Sequence, residues 1–305
     1  MTNGNSNSGS AGHLHESVRP YLHMSDDERI TFIETRRWIG YPRAVQILDQ
    51  MEHLLRYPKN HRMPNLLVVG RTNNGKTMIV NKFCANHPAD ENEQGNGVSV
   101  PVLSFRMPPG PNVMQFYERI LRTLAAPLKN SDRLARRERQ VFDLLARINL
   151  KMVIIDDIHN VLRGRLDKQL EFLSTLRDFG NELQVPIVAA GTKDAFMAVQ
   201  SDPQLANRFE PVILPLWDVG DDSRRLLASF EMLLPLKKPS NLSATSMSIK
   251  ILSMSEGTIG DTSMLLNRAA IFAIKSGIEQ ITEKVLESVI WNSPSRRKEM
   301  AKETI

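Results

Sequence analysis

The chain holds one cysteine, Cys84, among 305 residues. A disulfide within the chain and a metal site built on several thiolates are both excluded, and such a chain suits a reducing compartment, so the expected location is cytoplasmic. Long apolar runs are missing as well. Nothing approaches the roughly 18 consecutive residues that cross a bilayer, so no membrane partner is expected. Residues 1–12 are almost wholly Asn, Ser, Gly and Thr and lack the basic cluster and apolar stretch of a secretory signal. They open a tail, residues 1–25, expected to be disordered. No internal repeat is visible, and no charge of one sign dominates. The formal charge of +5 and a pI near 9.3 are compatible with a polyanionic partner without requiring one.

A chain of this length can bury a full α/β core and still carry a second small domain. Short apolar runs at 66–69, 98–106, 152–155, 185–190 and 211–214 read as five strands, separated by helical stretches that include 78–85 and a long one at 113–150 interrupted near 127–132. Strands alternating with helices imply a parallel five-stranded sheet flanked by helices on both faces. Upstream, 26–56 has a helical rhythm broken at Gly40-Tyr41-Pro42. Beyond about residue 221 the strand signal vanishes, leaving helical segments near 223–234, 245–254, 262–276 and 282–291. The expected organisation is therefore a tail (1–25), an N-terminal helical extension (26–64), an α/β core (65–220), a helical lid (221–292) and a basic C-terminal tail (293–305).

The chemistry begins where the first strand meets a glycine loop. Gly70-Arg71-Thr72-Asn73-Asn74-Gly75-Lys76-Thr77 matches G-x-x-x-x-G-K-[ST], a spacing in which backbone N–H groups wrap a phosphate and the next helix aims its positive end at the same anion. The match follows an apolar strand and opens a helix, the context it requires. Lys76 would neutralise the β and γ phosphates, Thr77 would ligate Mg2+, and Met78 continues the site into the helix. A second strand, Met152-Val153-Ile154-Ile155, delivers Asp156 and Asp157 to its C-terminal edge, where nucleotide-bound magnesium needs a carboxylate. Asp156 reads as the magnesium-side acid. Asp157 reads either as the group that polarises the attacking water or as the cap of the following helix. A GTPase is disfavoured, because His159 stands where D-x-x-G needs glycine and Thr192-Lys193-Asp194 puts the acid one residue early for [NT]-K-x-D. ATP is the expected nucleotide. Thr192 could sense the γ-phosphate or serve as a turn residue. Arg208, before the fifth strand, could act as a finger on a neighbouring subunit's nucleotide or be a solvated surface arginine.

Together these pieces resemble an α/β AAA+ P-loop NTPase, and more narrowly the TniB/TnsC group of transposition ATPases, relatives of MuB and IstB. The narrower likeness rests on Arg37-Trp38-Ile39-Gly40-Tyr41-Pro42, Arg62-Met63-Pro64-Asn65 leading into the glycine loop, Asp156-Asp157-Ile158-His159-Asn160, Gly191-Thr192, Asn207-Arg208-Phe209, and Gly257-Thr258-Ile259-Gly260 followed by Leu265-Leu266-Asn267-Arg268. It spans about residues 28–290. The resemblance implies a bacterial, nucleoid-associated helper that polymerises with ATP as rings or filaments on double-stranded DNA and marks a target for a DDE transposase, with a target-selection protein as a further partner. Two departures imply slow hydrolysis: Asp157 stands where the family carries glutamate, and Gly260-Asp261-Thr262-Ser263 lacks the arginine often found in that lid motif, with Arg268 a turn later. Rival readings are a DNA remodeller of the helicase or clamp-loader kind and a non-hydrolysing, ATP-gated adaptor. For DNA contact the chain offers Arg106 and the run Arg133, Arg136, Arg137 with Arg139, which read either as phosphate contacts or as a solvated helix face. Arg296-Arg297-Lys298 in the tail is a further basic cluster.

Overall fold

Five apolar runs become one sheet. The computed structural model describes residues 12–91, 97–200 and 202–303; residues 1–11 of the expected tail lie outside the described residues. The strands are β1 (Asn65–Gly70), β2 (Val102–Arg106), β3 (Met152–Asp156), β4 (Ile187–Gly191) and β5 (Phe209–Leu214), all parallel, in the order β2-β3-β4-β1-β5. The three inner strands are buried along their whole length, as strands covered on both faces must be, and this is why they read as nearly unbroken apolar runs. β2 starts later than its Val-rich run, since Pro101 precedes it and Ser99 instead bridges to Asp90. β5 starts earlier than expected and includes Pro211. Proline is tolerated there because β5 is an outer strand, exposing Glu210, Pro211 and Ile213. Arg43 Nε donates to the Ile213 carbonyl at 3.0 Å.

The helices are α1 (Asp26–Glu34), α2 (Pro42–Leu55), α3 (Lys76–Asn86), α4 (Val113–Thr123), α5 (Leu134–Arg147), α6 (Leu166–Leu183), α7 (Lys193–Gln200), α8 (Pro203–Ala206), α9 (Asp221–Met232), α10 (Thr245–Ser255), α11 (Ile259–Lys275), α12 (Glu283–Ser288) and α13 (Pro294–Glu303), with short 3-10 turns at Arg19–His23 and Ile158–Arg163. Two compact units result, Pro42–Pro215 around the sheet and a helical unit made of Met1–Tyr41 with Leu216–Ile305. In the sheet unit, Phe116 of α4 is fully buried and meets Phe105, Phe172 and Phe179 edge to face at centroid distances of 5.6, 5.3 and 5.3 Å. These contacts lock α4 and α6 against the β2 side of the sheet, each worth about 1 kcal/mol beyond the area it buries. That packing holds the strand ends on which the site is built.

The stretch expected as one N-terminal extension, 26–64, divides between the two units. α2 begins at Pro42, whose fixed φ suits a first helical residue, and packs on α3. α1 belongs to the helical unit, where it packs on α11. Residues 12–25, expected as tail, also pack there: Leu14 and Val18 are buried and the His15 N–H donates to the Met232 carbonyl at 3.0 Å. The basic C-terminal segment forms α13, tied back by Arg297 to Asp261 and by Ser295 to Glu256.

One buried charge organises this unit. Arg29 of α1 is fully buried and donates to the Pro235 carbonyl, to Asp26 at 3.1 Å and to both oxygens of Glu279. Lys237 Nζ reaches Glu279 as well, at 3.1 Å. The hydrogen bond to Glu279 raises the Arg29 pKa. Burial works to raise the Glu279 carboxyl, but the hydrogen bonds from Arg29 and Lys237 outweigh it and hold the group below its ordinary 4.5. A carboxyl whose folded pKa is depressed stabilises above its ordinary range and loses that contribution as pH falls through the depressed value. Glu279→Gln is therefore expected to destabilise the helical unit by about 3 kcal/mol at pH 7, the scale of breaking a buried pair, with the difference from wild type shrinking below pH 4.5. Urea unfolding followed by tryptophan fluorescence checks this, because Trp38, Trp217 and Trp291 all lie in this unit.

Candidate functional site

Strand β1 delivers the chain into a loop that is left-handed at Asn73 (φ 62°) and Gly75 (φ 85°), conformations that asparagine and glycine adopt at least cost. Asn74 is buried, and its side-chain amide donates to the Leu214 carbonyl at 3.1 Å and the Pro215 carbonyl at 2.9 Å, pinning the loop to the end of β5. Arg71, Thr72 and Asn73 stay exposed. Helix α3 starts at Lys76 with Gly75 before it and no side chain capping its first turn, whereas Ser25, Asn112, Thr258 and Thr282 cap α1, α4, α11 and α12. Its free N–H groups face the loop, an arrangement that accepts an anion. Lys76 is buried, and its ammonium donates to the Gly70 and Arg71 carbonyls, each at 2.8 Å. Burial pushes its pKa down, while Asp156 and Asp157 pull it back up. A buried cation beside an uncapped helix end fits a phosphate group.

The acids arrive on the strand next but one. Asp156 ends β3, is buried, and accepts from Thr77 Oγ1 at 2.7 Å and from the Asp157 N–H at 2.9 Å. Thr77 and Asp156 thus converge, an all-oxygen pair suited to a magnesium ion that takes its remaining ligands from phosphate and water. Asp157 has a left-handed backbone (φ 55°, ψ 38°), and its side chain makes no capping hydrogen bond to the turn that follows. Its carboxylate instead faces Arg106 Nε at 3.0 Å. The register explains this pairing: Arg106 lies opposite Asp156 across β2 and β3, so the two chains leave the sheet side by side. Arg106, read from sequence as a DNA contact, is thus also a partner of the candidate catalytic acid.

Thr192 directly follows β4, which lies between β1 and β3, so it emerges between the glycine loop and the acids. Gly191 before it is closely overlaid: a Cβ there would stand 2.7 Å from Ala195 and 2.8 Å from Ile158. Arg208 is not brought to this edge. Its carbonyl accepts from the Asn65 N–H at the start of β1, so it stands at the far end of the strands from the glycine loop. In the helical unit, Arg268 donates to the Ile290 carbonyl and lies over Trp291.

The run on α5 splits by role. Arg137 is buried, pairs with Glu118 and donates to the Lys129 carbonyl at 3.1 Å, so it anchors α5 to α4 and does not belong to an outer DNA face. Helical periodicity points it inward with Val141 and Leu145. Arg136 is exposed and paired with Asp132 at 3.3 Å, and Arg133 is exposed at the start of the helix.

A five-stranded parallel sheet with a phosphate loop after its fourth strand in spatial order and a paired acid two strands away defines a P-loop NTPase fold of the AAA+ type. Solved structures with this fold agree. The chain is similar to ORC2 of Aeropyrum pernix in its ADPNP-ADP complexes (TM-score 0.60, 15% identity, covering 84% of this chain and 70% of that one) and to Cdc6p of Pyrobaculum aerophilum (0.59, 16%, 87% and 71%). It is also similar to the Aeropyrum pernix ORC1 protein in complex with DNA (0.55, 12%, 90% and 70%). The chain belongs to the TniB family: the model described as Bacterial TniB protein matches residues 29–219, well over half of the chain. No curated protein matches it in sequence. Among the described residues no helix is long and apolar enough to cross a membrane.

The division of the α5 arginines is testable by stability alone. Arg137→Ala is expected to cost about 2 kcal/mol, because it strips Glu118 and the Lys129 carbonyl of their donor in a buried setting. Arg133→Ala should stay within about 0.5 kcal/mol of wild type. Chemical denaturation of the two variants compares them directly.

Proposed function

We propose that this protein is an ATP-dependent, sequence-nonspecific DNA-binding regulator of transposition that assembles with copies of itself on target DNA and engages a DDE transposase. The observation that carries the nucleotide half of this reading is the buried Lys76 ammonium beside the Thr77–Asp156 hydrogen bond, at the uncapped start of α3. Gly70 to Met78 would cradle the triphosphate, and Thr77 and Asp156 would hold Mg2+, which would neutralise phosphate charge. Thr192 contacts the γ-phosphate side, Asp157 orients the attacking water, and Arg208 acts on the nucleotide of a neighbouring copy. Membership of the TniB family supports the transposition half. Exposed arginines and a basic chain support contact with a phosphate backbone, and one similar fold, ORC1, was solved with DNA.

Arg106 links the two halves. While its guanidinium sits 3.0 Å from Asp157 Oδ2, that oxygen is engaged by the arginine and not open to a water. A DNA phosphate that draws Arg106 away frees Asp157, so duplex binding and ATP turnover are coupled. Arg106→Ala is accordingly expected to raise ATP turnover several-fold without DNA, to leave nucleotide affinity unchanged, and to abolish most of the DNA stimulation. A steady-state ATPase assay with and without duplex measures this; turnover that falls without DNA would assign Arg106 to catalysis itself.

Lys76→Ala is expected to abolish ATP binding and, with it, duplex binding. Fluorescence anisotropy on random-sequence duplexes with an ATP analogue, with ADP and without nucleotide checks both. The reading expects tight, steeply salt-dependent binding only with the analogue, since counterion release follows the number of phosphates neutralised. Equal affinity in all three states would favour a constitutive binder. Rapid DNA-stimulated turnover, on the order of ten or more per second, would favour a remodeller of the helicase or clamp-loader kind, and no turnover at all a non-hydrolysing adaptor.

A further inference from the structure

The 3-10 turn after Asp157, Ile158–Arg163, carries His159 against the exit of β4. Contact there is direct, because Gly191 puts no side chain between the two segments: a Cβ at 191 would stand 2.8 Å from Ile158 and 3.5 Å from the His159 backbone nitrogen. His159 is half-buried, and its Nδ1 is fully buried with no hydrogen-bond partner among the described residues. A buried ring nitrogen left unpaired costs stability, so its presence in a site points to a partner that is engaged only when the ligand binds. Thr192 follows Gly191 and is half-buried as well. Its carbonyl accepts from the Phe196 N–H at 3.3 Å, and its hydroxyl makes no hydrogen bond among the described residues.

On its other side the turn is tied to the segment after β2. Asn160 is buried, and its side-chain amide donates to the Met107 carbonyl at 3.2 Å, while the Met107 N–H donates to the Asp156 carbonyl at 2.8 Å. Met107 directly follows Arg106, the partner of Asp157. One short turn therefore meets the threonine segment at one face and the arginine segment at another.

We propose that His159 is a positioning residue that couples the γ-phosphate side of the nucleotide site to the Arg106 segment. The inference rests on the readings of Thr192 and Arg106 given above and supplies the link between them. A threonine hydroxyl has one proton to donate and two lone pairs that accept. When Thr192 donates to a γ-phosphate oxygen, its Oγ1 is left to accept, and His159 Nδ1–H, on the turn against the same strand exit, supplies the donor. Each bond in that chain polarises the next, so the two form together. Closing the chain draws the His159 turn toward β4, and Asn160 carries the shift to Met107 and to the arginine that covers Asp157. Linkage makes the effect reciprocal: a duplex that holds Arg106 away favours the turn position in which His159 meets Thr192, so DNA and triphosphate tighten each other by one factor. ADP lacks the γ-phosphate and leaves the two sites uncoupled.

The test uses the full chain, duplex DNA and a fluorescent non-hydrolysable ATP analogue. His159→Leu is expected to melt like wild type and to bind the analogue alone with wild-type affinity. It should lose at least about tenfold of the tightening that duplex confers on the analogue, together with the DNA stimulation of ATP turnover. An asparagine amide stands where Nδ1 stands and a glutamine amide where Nε2 does, so His159→Asn should restore the coupling and His159→Gln should not. Thr192→Ala should lose the coupling to the same extent, and the double variant of Thr192→Ala with His159→Leu should be no worse than the larger single loss. Wild-type coupling in His159→Leu, rescue by glutamine in place of asparagine, or additive losses in the double variant would each overturn the proposal. So would a His159→Leu protein that melts lower and binds the analogue weakly with asparagine no better, since the residue is then structural. Should Thr192→Ala keep full turnover and coupling, the reading of Thr192 itself falls and takes the inference with it; loss in Thr192→Ala beside wild-type behaviour in His159→Leu refutes the histidine's part alone.

Discussion

Thr77 Oγ1 donates to Asp156 Oδ2 at 2.7 Å, and this one hydrogen bond joins the first turn of α3 to the end of β3. Most of the sheet unit can be understood as what brings those two ends together. β4 intervenes between β1 and β3 and must therefore be narrow at its exit, which Gly191 supplies by leaving room for Ala195 and Ile158. The aromatic cluster around Phe116 fixes the β2 side, and β2 in turn fixes Arg106 against Asp157. On the other side, Asn74 ties the glycine loop to the end of β5. The site is thus held by neighbours on both flanks, and its two acids are placed by backbone register more than by their own side chains.

The legible part of the molecule was the part governed by local rules. The glycine loop, the acid-tipped strand and the alternation of strands with helices obey steric and periodic constraints visible in a few residues at a time. The order of the strands is not such a rule, and it is the order that sets Arg106 beside Asp157 and sends Arg208 to the opposite edge. Arg137 shows the same limit on a smaller scale. A run of arginines looks uniform in sequence, yet one member falls on the apolar stripe with Val141 and Leu145, a periodicity that was present to be read. The assignment of residues 12–41 to the helical unit was harder to see, since it depends on Arg29 meeting Glu279, 250 positions away.

The helical unit offers a contrast in how charge is used. Arg29 and Glu279 are buried and matched almost completely by hydrogen bonds, so they specify one docking of α1. At the start of α3, Lys76 is buried with neutral carbonyls as its hydrogen-bond partners, and the carboxylates of Asp156 and Asp157 act on it only through space. Matched burial fixes a structure, while incomplete compensation leaves a binding site.

The outer strand β5 carries a further consequence. Even-numbered positions turn their backbone toward β1, as the Arg208 carbonyl does, so Phe209, Pro211 and Ile213 turn theirs outward. Pro211 has no N–H to offer there, and the Ile213 carbonyl is taken by Arg43. A foreign strand laid along this margin would find one donor missing and one acceptor occupied in three consecutive outward positions. The β5 margin is thus a poor template for extension by backbone pairing, so a copy that docked along this margin would do so through side chains, where a change of bound ligand could make or break the contact.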